Sequence, residues 1–341
     1  MSDLLTDAAE RLFAGRAATE QGFDPALWAA VAEAGFAAAL LPEDAGGAGT
    51  TVAEAMALLR TAAAHAAPIP LAETMLAGRL LALAGLAVPP GVLTLAPVRL
   101  ADRMALHRDG GGWRLCGSAS GIPWARHAAA VVVVAEAAEG PAVVRLDAGG
   151  FTLAEGRNLA GEPRDRIDAD TRIAAEAAAP APFDAIALHA AGAALRSVQI
   201  AGALAAALAL SVQYAQTRVQ FGRPIGRFQA IQHSLAILAG QSAAALAAAD
   251  MATDALARAL PPLLVGAAKA RAGEAASIGA ALAHQVHGAI GFTREYRLHR
   301  LTQRLWSWRD EFGNEATWQA AVGRIALAAG PDGLWPTLTA A

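Results

Sequence analysis

Over residues 1–90 apolar side chains recur every three or four positions, the spacing of an amphipathic helix. Leu4, Leu5, Ala8, Leu12 and Phe13 share one face. Leu27, Trp28, Val31 and Phe36 repeat the pattern behind Asp24-Pro25, a capping residue followed by a proline suited to a first helical turn. Pro42 to Gly49 reads as a loop, Thr51 caps a helix bearing Val52, Ala55, Met56 and Leu59, and Ala72 to Ala84 reads as another helix. From 91 to 182 the runs shorten. Val92–Leu95, Met104–His107, Trp113–Cys116, Ala129–Ala135 and Ala142–Leu146 are apolar stretches separated by Gly, Asp and Pro clusters such as Asp109-Gly110-Gly111-Gly112, which predicts short strands in a small barrel or sandwich. Pro180 and Pro182 read as a linker. From 183 to 341 the helical period returns in long segments, about Phe183–Arg218, Gly226–Leu260 and Leu263–His287, then Tyr296–Trp308 and Ala316–Ala329 after a break at Gly288-Ala289-Ile290-Gly291. Long Ala-rich helices with short turns predict an antiparallel bundle. The expected fold class is α+β, mainly α: an N-terminal helical domain (1–90), a small β-barrel middle domain (91–182) and a C-terminal four-helix bundle (183–341).

Composition narrows the function. The 341 residues include 27 Lys+Arg against 30 Asp+Glu, a net charge of −3, which excludes a broadly basic nucleic-acid binder. Hydrophobic residues make up 55% and charged ones 17%, so the chain can build a sizeable core and is not a disordered one. A single cysteine, Cys116, excludes an intramolecular disulfide and a Cys-based zinc site. The histidines show no metal-ligand spacing; His284 and His287 are near each other but lack further partners, so no metal is expected. Ser197–Thr217 and Phe228–Ala249 run uncharged for about the ~20 residues a membrane span needs. Alanine dominates both, and Gln199, Gln213, Gln216, Gln229, Gln232, His233 and Gln241 interrupt them, so they read as buried bundle or oligomer helices and no span is expected. Met1-Ser2-Asp3 opens without a basic, apolar leader, and the expected location is cytoplasmic. Lys269 is the one lysine among the basic residues and reads as base composition, not function.

The segment Tyr214 to His233 is the richest in chemistry. Tyr214 and Arg218 lie four apart at a helix end and share a face; Gly222, Pro224 and Gly226 then force a loop. An arginine projecting from a bundle end can clamp a phosphate at two points, or simply satisfy the last carbonyls of its helix. Arg297, Arg300 and Arg304 share another helix face, either toward a phosphate or as an interfacial or solvated face.

The run RVQFGRPIGRFQAIQHSLA, starting at Arg218, resembles the signature of the acyl-CoA dehydrogenase family. Gln285-Val286-His287-Gly288-Ala289-Ile290-Gly291-Phe292 is similar to the family's QxxGGxGF stretch, and Leu41-Pro42-Glu43-Asp44-Ala45-Gly46-Gly47-Ala48-Gly49, after Ala34-Gly35-Phe36, is similar to its N-terminal PExxGGxG segment. The three occur in the family's order and span the chain. The resemblance implies an oligomeric FAD flavoenzyme that desaturates an acyl-CoA thioester between its α- and β-carbons and passes electrons to an electron-transferring flavoprotein. It places Arg218, Gln220 and Phe221 at the FAD pyrophosphate, usually that of a neighbouring subunit, and Gln285, Gly288 and Ala289 along the ADP part, with Ala289 standing where a second glycine is usual. His287 reads as packing.

The departures from the family carry information too. The strand whose Thr contacts the flavin corresponds to Gly121-Ile122-Pro123, and proline supplies neither hydroxyl nor N–H. Trp124 either stacks on the ring instead or packs in the barrel. The family's TEPxAGSD loop is not recognisable between Leu93 and Asp102. The base, a carboxylate in a YEGT-like segment, is the largest departure: counting from Gly291-Phe292 puts Phe312 there. The alternative base position, on the long helix before Arg218, falls near Gly192, and no carboxylate lies between Asp184 and Arg218. Asp310, Glu311 and Glu315 stand close by, and a one-residue slip makes Glu311 the candidate base; the bland reading is a solvated acidic turn. Two functions therefore stay open: a complete acyl-CoA dehydrogenase, working as a homo-oligomer, or a non-catalytic partner subunit that completes the FAD site of a longer, base-bearing chain in a hetero-oligomer. A flavin oxidase or monooxygenase on the same fold is a third, remoter option.

Overall fold

The structure is a computed structural model that describes residues 2–15 and 22–339; Met1 lies outside them. The chain forms two compact units. The first comprises Met1–Ala8, Ala18–Leu58 and Pro68–Gly192, the second Ala9–Ala17, Leu59–Ala67 and Ala193–Ala341. Helices α1 (Ser2–Ala14) and α3 (Val52–Ala64) each contribute to both.

In the first unit, α2 (Pro25–Glu33) starts as its sequence dictates. The Asp24 carboxylate accepts the Leu27 N–H at 2.9 Å, Pro25 occupies the first turn, and Leu27, Trp28 and Val31 are buried. Helix α3 opens with a reciprocal box: Glu54 N–H donates to Thr51 Oγ1 at 3.2 Å, and Thr51 N–H donates to Glu54 Oε2 at 2.9 Å. Helix α4 (Leu71–Leu83) has no polar face, because it is buried almost all round.

Eight strands follow: β1 (Leu93–Ala96), β2 (Arg103–Asp109), β3 (Gly112–Pro123), β4 (Ala130–Ala137), β5 (Gly140–Asp147), β6 (Thr152–Ala154), β7 (Arg164–Ile173) and β8 (Ala178–Pro180). They form one sheet in the order β6-β7-β3-β2-β4-β5-β8, with β1 parallel to β4. The β2–β3 hairpin turns at the Asp109–Gly112 cluster, and Val131–Val133 of β4 are 0% exposed, which explains their continuous apolar run. Two elements depart from the sequence reading. Strand β7 has no apolar run, because its outward positions are charged and paired: Arg166 with Asp168 at 2.8 Å, Arg114 of β3 with Asp170 at 2.7 Å, and Arg172 with Asp109 at 2.9 Å. The expected linker at Pro180 is instead the edge strand β8 on β5, a place where proline's missing N–H leaves no partner unsatisfied.

The second unit holds the greater part of α5 (Ala185–Thr217), then α6 (Gln229–Ala257), α7 (Pro262–His287), α8 (Leu298–Asp310) and α9 (Glu315–Thr339). Ala245, Ala252 and Ala255 of α6 and Ala272, Ala275 and Ala276 of α7 are all 0% exposed, so small side chains let these backbones approach closely. Gly330, with φ 67°, breaks α9 where the predicted helix ends, and Pro331 follows it. Helices α5 and α6 are both long and apolar enough to cross a membrane; 72% of the apolar window of α5 is buried, against 33% for α6. Helix α5 is therefore a core helix, whereas α6 keeps an open apolar face that includes Ile237.

Candidate functional site

Arg218 follows α5 and its N–H donates to the Tyr214 carbonyl at 2.8 Å, closing the helix. The chain then makes a two-residue hairpin between β9 (Val219–Gln220) and β10 (Arg223–Pro224). Phe221 and Gly222 form its tip with φ of 51° and 77°, the pair of positive values that a type I′ turn demands. A phenylalanine in that region carries about 1–2 kcal/mol of strain. It is also 91% exposed, in an edge-to-face pair with Phe228 at a centroid distance of 6.0 Å. Arg218 and Gln220 are exposed beside it.

Helix α7 ends at Gly288, whose φ of 63° and ψ of −143° belong to glycine alone, and whose missing Cβ would meet nothing within 4 Å. Gln285, Gly288 and Ala289 are exposed. His287 links this turn to the end of α5. Its Nδ1–H donates to the Ala283 carbonyl at 2.8 Å, its Nε2 accepts the Tyr296 hydroxyl at 3.0 Å, and its ring stacks on Tyr214 at 4.6 Å. Burial holds the His287 pKa below the usual imidazole value and Tyr296 above the usual phenol value, so both stay neutral. His284 stacks on Phe292 at 4.1 Å and bonds Thr302 Oγ1 at 2.8 Å; burial lowers its pKa too. Among the described residues no cluster of His, Cys, Asp and Glu could hold a metal.

The loop between α8 and α9 has the opposite character. Glu311 Oε2 accepts from Arg196 Nε at 2.8 Å, and the Arg196 side chain, on α5, is 2% exposed. Phe312 is 6% exposed, with the Arg196 guanidinium 5.6 Å from its ring centroid and its carbonyl accepting Trp318 Nε1–H at 2.8 Å. Beneath them Lys269 of α7 is 0% exposed and donates to the carbonyls of Arg309 and, at 2.7 Å, Gly313. Burial pulls the Lys269 pKa down to about 7, against the opposing pull of Glu315, Glu311 and Asp310. Asp310 pairs with Arg309 at 3.0 Å and Glu315 lies 3.8 Å from the same guanidinium.

Residues 4–87 match the acyl-CoA dehydrogenase N-terminal domain and residues 187–328 the acyl-CoA dehydrogenase C-terminal domain. The acyl-CoA dehydrogenase IpdE2 of Mycobacterium tuberculosis (strain ATCC 25618 / H37Rv) is 32% identical over 288 residues, 83% of this chain and 80% of that protein. The chain belongs to the acyl-CoA dehydrogenase family. FadE27 of the same organism, also an acyl-CoA dehydrogenase, is 29% identical over 319 residues, 82% of each chain. Among solved structures, the Tcur3481–Tcur3483 steroid ACAD G363A variant superposes with a TM-score of 0.86 at 26% identity over 96% of this chain and 98% of that one. The ChsE4–ChsE5 complex of M. tuberculosis gives 0.83 at 24%, over 97% and 98%, a likeness of fold.

Acyl-CoA dehydrogenases are FAD flavoproteins. The residues at the bundle end fit such a group: a solvent-facing guanidinium, two exposed amides and a glycine turn with open space where a Cβ would stand, with no carboxylate in the set. In the first unit Trp124 is 2% exposed and packs on Phe23 and His127, each at 6.3 Å, so it fills the core of the β domain. The arginine row on α8 divides: Arg297 is exposed, Arg300 half-buried, and Arg304 is 3% exposed with its guanidinium on the Arg300 carbonyl.

Sequence reasoning missed Lys269 and Arg196. Both left a signal. Lys269 is the sole lysine, and Arg196 is the sole charge between Asp184 and Arg218. A lone charge in an apolar helix must find a partner when it is buried.

Proposed function

We propose that this chain is one subunit of a two-chain, FAD-dependent acyl-CoA dehydrogenase, providing cofactor-binding elements while a longer partner chain provides the base. The observation that carries this reading is the state of Glu311, whose carboxylate is committed to a buried guanidinium. The neighbouring position, where the family's glutamate is expected, holds a buried phenyl ring, Phe312. A base must reach the proton it removes and be free to accept it, and neither residue meets both conditions. Exposure supports the same reading: Arg218, Gln220, Phe221, Gln285, Gly288 and Ala289 all face solvent in the single chain, together with the open face of α6. Two of the structures that the chain resembles, Tcur3481–Tcur3483 and ChsE4–ChsE5, each carry two chain names.

In this reading Arg218 would hold the FAD pyrophosphate by charge-assisted hydrogen bonds, Gln220 and Gln285 would orient the dinucleotide, and the Gly288-Ala289 backbone would take its ADP part. Held there, FAD would supply the acceptor for the hydride lost from the β-carbon of an acyl-CoA, with an electron-transferring flavoprotein as the onward acceptor. The partner's carboxylate takes the α-proton. A cytoplasmic location belongs to the same proposal. The test is an anaerobic titration with acyl-CoA thioesters, on the chain alone and on the chain co-expressed with an acyl-CoA dehydrogenase-like partner, with light scattering to count subunits. The lone chain should leave the flavin yellow and the pair should bleach it. Rapid bleaching by a homo-oligomer of this chain, abolished by Glu311→Gln, overturns the reading in favour of a complete enzyme.

A further inference from the structure

We propose that Lys269 is the positioning residue that keeps Glu311 on Arg196, and so withholds this chain's own carboxylate from proton abstraction. The inference rests on the partner-subunit reading above. The two carbonyls that Lys269 holds, those of Arg309 and Gly313, bracket Asp310, Glu311 and Phe312, so one amino group fixes both ends of the segment. That segment does not hold its own shape. Phe312 and Gly313 have φ of 54° and 86°, and a phenylalanine persists there only where its surroundings leave it no alternative. Lys269 from α7 below, Trp318 from α9 and Arg196 from α5 supply that constraint.

Lysine is the residue that this place requires. The other basic residues of the chain are all arginine. A planar guanidinium fork suits carboxylates and phosphates; a compact ammonium with rotatable donors suits two carbonyl oxygens at the end of a helix, where it also meets the negative end of the α8 dipole. The groups facing Lys269 are Glu315, Glu311, Arg196 and Asp310. Without the Lys269 side chain, the Arg309 and Gly313 carbonyls lose their shared donor, the turn relaxes, and Glu311 leaves Arg196.

The experiment labels carboxylates with a water-soluble carbodiimide and an amine, and reads Glu311 and Glu54 by mass spectrometry in one digest. In Lys269→Met, Glu311 labelling should rise about fivefold or more while Glu54, far from Lys269 in the chain, stays within a factor of about two, as a local opening requires. Lys269→Gln, whose amide still donates to carbonyls, should return labelling close to wild type. Unchanged Glu311 labelling in Lys269→Met overturns the proposal, and so does an equal rise at Glu311 and Glu54, which means general loosening. If Lys269→Met does not fold, the wild type decides. Labelling with 15N-lysine gives one side-chain signal, expected to be slowly exchanging, with Nζ protons close to the Gly313 α-protons; a fast-exchanging signal refutes the latch. None of these readouts needs flavin or turnover, so bleaching by the lone chain would sink the partner-subunit reading independently of the latch.

Discussion

At the end of α5 Arg218 stands in solvent, with no carboxylate partner among the described residues, whereas the two cations that meet the α8–α9 loop are sealed: Arg196 is 2% exposed on Glu311, and Lys269 is 0% exposed on two carbonyls. Both regions belong to the second unit and both contain a phenylalanine at positive φ, Phe221 and Phe312. One phenylalanine is 91% exposed and the other 6%. On the proposed reading, the exposed, strained Phe221 beside Arg218 is the surface that a ligand or second subunit covers. A buried, strained aromatic under a paired cation is a segment that has satisfied itself. The difference is one of saturation: charged groups at the end of α5 face solvent, whereas those against the α8–α9 loop have their partners within the chain.

The largest expected effect tests the sealed side. Lys269 has its pKa lowered to about 7 by burial, below the ordinary lysine value. Between those two values the unfolded chain holds a proton that the folded chain does not, so stability rises with pH through that window. The slope reaches at most ~1.4 kcal/mol per pH unit between about pH 7 and pH 10. Urea unfolding of wild type and Lys269→Met across that range should show the slope only in the wild type; parallel curves would mean that Lys269 is not the group responsible.

Next in size is the ion pair above it. Glu311→Leu takes the counter-ion from a buried guanidinium, leaving it the neutral amide oxygen of Gln199, and should cost about 3–5 kcal/mol. Arg196→Met should cost less, because the Glu311 side chain is 18% exposed and can turn to water. Equal losses, measured by denaturant midpoints, would show that burial of the arginine does not decide the energetics. On the open side the pattern reverses. Arg218→Ala should change stability by no more than about 0.5 kcal/mol. It should weaken FAD binding, read by flavin fluorescence on the assembled protein, by about 10- to 100-fold, the loss of one charge-assisted partner. FAD retained at wild-type affinity removes Arg218 from the site.

The open side was legible in the sequence because its chemistry is local. Arg218, Gln220, Phe221 and Gly222 fall within five consecutive residues, and Gln285, Gly288 and Ala289 lie at one helix end, so each motif occupies a single local element. The long helices were legible from period alone, and strand β7 was not, because charge pairs replaced its apolar alternation. The sealed side was illegible for a different reason. Arg196, Lys269 and Glu311 come from three elements, with Arg196 and Glu311 115 positions apart in the chain. Only packing brings them together, and no spacing rule reports that. What the sequence did carry was rarity, the lone lysine and the lone charge within a helix, and rarity had no mechanism attached to it until the carbonyls of Arg309 and Gly313 were in view.

The smallest effect is expected at Gly288, and it separates two causes. Its φ of 63° and ψ of −143° are strained for any side chain, yet a Cβ there would meet nothing within 4 Å. Gly288→Ala should therefore cost about 1–2 kcal/mol of stability through backbone strain alone, with no clash to relieve. That loss would appear in the chain whether or not FAD is present. If the Gly288 backbone also lies against the ADP part of the cofactor, the added methyl occupies the space that the ligand needs, and FAD affinity falls in addition. Comparing the denaturant midpoint of the flavin-free protein with the FAD dissociation constant of the same variant divides the two. A stability loss without a change in affinity would leave Arg218 as the anchor of the open side and make Gly288 a helix terminator only. A loss of affinity beyond the strain would join the two motifs in one site, held in register through His287 and Tyr214.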